Sequence, residues 1–168
     1  VHQTTDTFIA SNENDLPRIF FLDSVAQKSR IEILNAIKNN SFNPKHLAFV
    51  ENLDFKFDMA DSSSTVEIKK YADESISANV NAKGNNFMFF STTYLPGWKA
   101  YVDNAETTVR KTNYGFMGIV VPKGKHTVEF VYEPKGFAIG KNISLVLNIL
   151  LLGGIGVVIF LNKKKSVK

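Results

Sequence analysis

Histidines, spaced aspartates, a serine run and one aromatic turn are the residues of this chain whose types could do chemistry. His2, His46 and His126 each lack a second ligand at i+3 or i+4, and no His-Glu-x-x-His pair occurs. Metal sites need such spacings, so no metal is expected. His126 follows the turn Lys123-Gly124 and reads as a rim or cross-strand residue. Asp54, Asp58 and Asp61 lack the glycine and closing glutamate of a calcium loop, which leaves a solvated loop. Ser62, Ser63 and Ser64 stand outside any Gly-x-Ser-x-Gly elbow, so serine hydrolase chemistry has no support. The chain has no cysteine, which removes a thiolate nucleophile, a zinc-thiolate site and a disulfide framework. No catalytic residue and no cofactor are expected within the chain.

One segment stands out: TTYLPGWKAYVD, Thr92 to Asp103, which holds the only tryptophan. Pro96-Gly97 sets a tight turn that presents Trp98, with Tyr94 and Lys99 close by and Asn113 and Tyr114 as possible neighbours. Two readings stay open here. Trp98 is a core or edge anchor at a turn, or it is an exposed platform for a sugar ring or a lipid head group. On the second reading Tyr94, Trp98, Lys99, Asn113 and Tyr114 are the candidate ligand-binding residues.

The elements that must position these residues begin with the C-terminal end. Ile143 to Leu161 reads ISLVLNILLLGGIGVVIFL, with only Ser144 and Asn148 clearly polar. As a helix it spans about 28 Å, close to the roughly 30 Å hydrocarbon core of a bilayer. Lys163, Lys164, Lys165 and Lys168 follow, and such a cluster marks the cytoplasmic side. The expectation is a transmembrane helix over 141–162, a cytoplasmic basic tail over 163–168, and an extracytoplasmic domain before them. Gly153, Gly154 and Gly156 within the span suit close packing against other helices.

The net charge of +4 is a property of that tail: without its four lysines, 16 basic residues balance 16 acidic ones. A neutral domain has no phosphate-binding footprint, which argues against nucleic acid as a partner. Val1 opens a segment, VHQTTDTF, with no apolar run behind a basic start. The expectation is that a removed signal or further membrane spans precede it.

Residues 1–15 are polar and read as linker or edge. An extracytoplasmic domain follows over 16–140. Pro17 and Arg18 lead into the strand-like IFFLD, and Ala26 to Asn40 carries Ile31, Leu34 and Ile37 on one helical stripe. His46 to Glu51 reads as a strand, and Asp54 to Ser64 as a polar loop. From Thr65 onward short strands recur, TVEIKKY, ISANVNA, NFMFFSTTY, WKAYVD, TTVRKTN, GFMGIVV and HTVEFVY. Gly84-Asn85-Asn86, Asp103-Asn104 and Pro122 to Lys125 supply turns. The fold class expected is mainly β, an antiparallel β-sandwich with one amphipathic helix in the N-terminal half and a C-terminal transmembrane helix. Pro134, Gly136 and Gly140 are expected to break regular structure ahead of the span. Only ten residues separate Tyr132 from Ile143, so the sandwich should sit close to the bilayer.

Several segments taken in order carry a resemblance: LPRIFFLD, SFNPKHLAFVE, VEIKKYADESISANVNA, YLPGWKAYVDN, KTNYGFMGIVVPKGKHTVEFVYEP and GFAIGKNIS. The chain resembles the C-terminal part of YfhO-type bacterial membrane proteins from about Leu16 to Leu161. The set is specific although each piece alone is weak. Asn104 departs from the pattern where glycine is expected, and Met117 where a basic residue is often expected. The family is similar to polytopic, GT-C-like glycosyltransferases that use lipid-linked sugars. The resemblance implies a parent in the bacterial cytoplasmic membrane with many upstream helices and a catalytic acid in an early extracytoplasmic loop, outside this chain. It implies as partners membrane lipid, the parent's remaining helices and a glycan or polyprenyl-phosphate sugar. The competing readings are an Ig-like glycan-binding or interaction module on a membrane anchor, and a wall-anchored surface protein. No Leu-Pro-x-Thr-Gly precedes the span, which counts against the last.

Overall fold

A computed structural model describes residues 15–165. The expectations for an edge segment over 1–15 and for the basic tail over 163–168 fall largely outside the described residues. Eleven strands and two helices make up the described part.

The five-stranded sheet takes the order β4 (Thr65–Tyr71), β5 (Ser75–Ala82), β11 (Gly124–Tyr132), β7 (Trp98–Val102), β8 (Ala105–Thr107). It is antiparallel throughout. Strand alternation decides its face: Ile76, Ala78, Val80 and Ala82 of β5 and Val128 and Phe130 of β11 point inward and are buried. The six-stranded sheet runs β1 (Ile19–Leu22), β6 (Asn86–Phe90), β10 (Phe116–Val121), β9 (Arg110–Thr112), β3 (Leu47–Val50), β2 (Ser24–Gln27). It curls into a half-barrel. One residue, Asp23, joins β1 at one edge of the sheet to β2 at the other.

Strand β6 is buried on both faces and lies between two cores. Met88 and Phe90 meet the five-stranded sheet, and Phe87 and Phe89 fill the inside of the curl. Burying a phenylalanine contributes about 1.5–3 kcal/mol, so this strand anchors both layers. A third, smaller cluster forms where the helix α1 (Arg30–Lys38) sets Ile33 and Ala36 on Phe49 of β3.

Several sequence expectations need correction. The sandwich is not purely antiparallel, because β2 pairs parallel with β3. The helix spans Arg30–Lys38 and not Ala26–Asn40, since Ala26 belongs to β2 and Ser29 caps the helix. The Ser29 side chain accepts from the Glu32 N–H while the Glu32 carboxylate accepts from the Ser29 N–H, a capping box. The stripe of Ile31, Leu34 and Ile37 faces outward, exposed by 72, 41 and 44 %. The short helix lies on β3 through Ile33 and Ala36 instead. The loop Asp54 to Ser64 is partly internal: Phe55 stacks on Phe87 with ring centroids 5.4 Å apart, and Asp58 bridges to Asn86. The segment TTVRKTN divides between β8 and β9 and so crosses from one sheet to the other. Gly136 and Gly140 do not interrupt structure, because the helix α2 already starts at Lys135, directly after Pro134, and runs to Lys165.

By length and composition α2 is able to cross a membrane over Ile139–Gly156, and none of that stretch is buried against the rest of the described chain. Within it the Asn148 side-chain amide donates to the Ser144 main-chain carbonyl one turn earlier at 2.8 Å. Hydrocarbon demands such internal pairing.

Candidate functional site

The turn at Pro96-Gly97 packs on the junction where β11 passes into α2. Gly97 has φ +121°, a conformation that glycine adopts without steric penalty. A Cβ there would stand 3.0 Å from Pro134 Cα and 3.1 Å from Pro134 N. The Glu133 N–H donates to the Gly97 carbonyl at 2.8 Å, and the Lys99 ammonium reaches the Glu133 carboxylate at 2.8 Å. That carboxylate raises the pKa of Lys99. The Trp98 ring lies 5.2 Å from Tyr132 and meets Phe90 edge-on at 6.3 Å. Three consecutive residues, Gly97 to Lys99, therefore form a clasp around Tyr132-Glu133-Pro134, the last residues before the apolar helix.

The other candidates lie at the same end of the domain. The Tyr94 N–H donates to the Gly115 carbonyl at 2.7 Å, which ties the clasp to the β9–β10 turn. In that turn Asn113 and Tyr114 both have positive φ, 46° and 71°. Asn113 completes the β3–β9 ladder: its N–H donates to the Phe49 carbonyl, and its side-chain oxygen accepts from the Phe49 N–H at 2.8 Å. Asparagine tolerates this backbone region, whereas tyrosine at 71° is held there by its surroundings. Arg30 donates to the Tyr114 hydroxyl at 3.2 Å, and the Arg30 and Lys111 cations lie 5.0 and 4.8 Å from its ring.

The five candidates thus form two groups at one end. Trp98 and Lys99 gather at the β11–α2 junction, Tyr94 ties their segment to the β9–β10 turn, and Asn113 and Tyr114 of that turn join α1 to β3. Trp98 and Tyr94 are half-buried against the main core. Sequence reasoning missed Tyr132, Glu133 and Pro134 as the partners of the clasp. The Tyr-x-Pro signature was visible, but pairing across more than thirty positions has no local signal. Arg18 was missed as well: its guanidinium donates to the Tyr71 hydroxyl at 2.7 Å and pins the two sheets together at this end.

The opposite end carries the polar residues. His126 pairs with Asp103 at 2.6 Å, and Asp103 also accepts the Thr127 N–H at 2.8 Å. The hydrogen bond to Asp103 raises the pKa of His126, and the same bond lowers that of Asp103. Asp103 and Asn104 form a two-residue turn with φ 50° and 67°, so asparagine supplies the positive φ at the position where glycine was expected. Met117 is fully buried in the main core, which leaves no charge-based role at that position. Asp54 pairs with Arg110, Asp58 accepts the Asn85 N–H at 2.7 Å, and Asp61 accepts the Ser63 N–H at 2.7 Å. All three carboxylates of that loop are engaged locally. Among the described residues no group of three or more His, Cys, Asp or Glu side chains is placed to hold a metal ion.

A β-rich domain that runs through Tyr132-Glu133-Pro134 into an exposed apolar helix suits a membrane-associated module. Residues 5–144 match the family described as bacterial membrane protein YfhO, and the chain belongs to that family. No curated protein and no solved structure shows a significant match to the chain.

Proposed function

We propose that this chain is the extracytoplasmic C-terminal domain and last membrane helix of a polytopic protein that transfers sugar from a polyprenyl-phosphate donor to a cell-envelope acceptor. The domain is accessory to that reaction. The observation that carries the reading is membership of the YfhO family over residues 5–144; the transferase activity is what the resemblance of the sequence to that family implies. The clasp supports the accessory role. It holds Tyr132 and Glu133, just ahead of α2, through one backbone hydrogen bond, one ion pair and one aromatic contact. Tyr94, Trp98 and Lys99 then hold the domain at the bilayer surface, and Asn113 and Tyr114 shape the rim beside them. The domain lies outside the membrane at residues 16–140, the span covers 141–162, and the lysines of 163–168 are cytoplasmic.

The test uses membranes containing the whole parent protein and a radiolabelled polyprenyl-phosphate sugar. The reading expects transfer to an envelope acceptor, loss of transfer when the parent is truncated before Leu16, and no turnover by the present chain alone. A parent that leaves the donor intact would overturn the transferase reading. Turnover by the isolated chain would overturn the accessory role. The competing reading, an Ig-like glycan-binding or interaction module on a membrane anchor, expects glycan binding by the isolated chain and no transfer by the parent.

A further inference from the structure

Beside the clasp, on the inner side of the curled sheet, lies a cavity of about 350 Å3. Pro17, Phe20, Ile37, Phe42, Phe89 and Phe116 supply most of its wall. The three phenylalanines of the sheet form one continuous surface, with Phe89 5.3 Å from Phe20 and 5.5 Å from Phe116. Its volume falls within the range of small-molecule sites, which are mostly apolar with a few polar groups.

Strand register places this cavity at the same end as α2. Phe90 pairs with Ile19 and Met117, so the end of β6 and the starts of β1 and β10 lie together. Phe90 packs on Trp98, and Trp98 pairs with Tyr132, three residues before α2 begins. The cavity therefore lies at the end of the domain from which the apolar helix departs. A second hollow of about 470 Å3 adjoins it and shares Leu16, Asn40, Phe42 and Pro44. This neighbour is polar, with Asp15, Asn43 and Lys45 on its wall. Outside the mouth Ile31 and Leu34 extend the apolar surface along α1.

We propose that this pair of hollows binds a membrane amphiphile, with one hydrocarbon chain in the phenylalanine-lined cavity and its polar head in the hollow beside Lys45. A mainly apolar cavity at the end of the domain where α2 begins, continuing into a more polar hollow, matches a molecule with the same division. Acyl and polyprenyl lipids share that chemistry. The proposal goes beyond the transferase reading and does not depend on it.

The test places the full chain in phospholipid nanodiscs with either a diazirine-bearing fatty acid or a diazirine-bearing prenyl phosphate. Crosslinks are mapped by mass spectrometry. Saturable labelling at Phe20, Phe42 and Phe89 is expected. Ile37→Asp, at a half-exposed wall position, should lower it about tenfold, as loss of one buried aliphatic contact implies. Ile37→Trp, which fills the cavity without adding charge, should give the same loss. Ile31→Asp, outside the cavity, should leave labelling unchanged. Equal labelling by both probes would show that the chain is recognised; labelling by the prenyl phosphate alone would show that the polar hollow reads the head group. Labelling that does not saturate, spreads over Ile31 and Leu34 and ignores both Ile37 variants would overturn the proposal in favour of mere contact with the bilayer. Labelling that appears only after removal of residues 1–14 would overturn it too, by assigning the cavity to the chain itself.

Discussion

Truncating Trp98 separates a clasp from an exposed ligand platform. In Trp98→Ala the ring loses its half-buried packing on the main core and its contacts with Phe90 and Tyr132. Full burial of such a ring is worth about 3–5 kcal/mol on truncation, and half-burial takes roughly half of that. Each aromatic contact adds about 0.5–1.5 kcal/mol. The expected loss is therefore about 3 kcal/mol, or roughly 8–15 °C in Tm for a domain of this size. The assay is far-UV circular dichroism on heating, with the full chain in nanodiscs, beside Trp98→Phe. The phenylalanine variant keeps part of the packing and should recover about half the loss. A loss below about 0.5 kcal/mol, the range of ordinary surface substitutions, would refute the clasp. Loss of glycan binding at unchanged Tm would then establish the platform instead.

Two further predictions concern the core and the distal end. In Gly118→Ala the new methyl would stand 2.3 Å from Phe87 Cζ. Phe87 is fully buried and stacked on Phe55, so the ring cannot yield; the melt should show a loss of about 1–3 kcal/mol. His126, raised above its ordinary 6.5 by Asp103, adds stability at low pH that disappears as pH rises through the raised value. Asp103, lowered from 3.8, adds stability above its ordinary value that is lost as pH falls through the depressed one. The pair thus stabilises most between these limits. Tm measured from about pH 6 to about pH 8 should fall more steeply in the parent chain than in His126→Gln; equal slopes would remove His126 as the cause.

Much of the β-structure was legible because it repeats a local rule. In β5 and β11 inward and outward residues alternate, and Asp103-Asn104 marks its own turn. The long apolar helix was legible from composition alone. What was hidden depends on distant partners. The four residues of β2 carry no periodic signal, and only their parallel pairing with β3 makes them a strand. The face of α1 was misjudged because two stripes compete on nine residues, and contact with Phe49 selects Ile33 and Ala36 over the larger outward set. Phe55 and Phe57 sit in a stretch that looks polar, yet the open curl of the sheet draws both inward. The candidate residues were identified by type; their grouping rests on pairs such as Gly97 with Glu133 that only the fold creates.

The most direct test of the account is which side of the membrane each end of the chain occupies. The chain has no cysteine, so single cysteines report position without background. In intact cells producing the membrane-bound protein, Ser62→Cys should react with an impermeant maleimide. Ser166→Cys should react only after the membrane is opened. The reverse pattern, or reaction at both sites in intact cells, would contradict an extracytoplasmic domain held on the bilayer by α2.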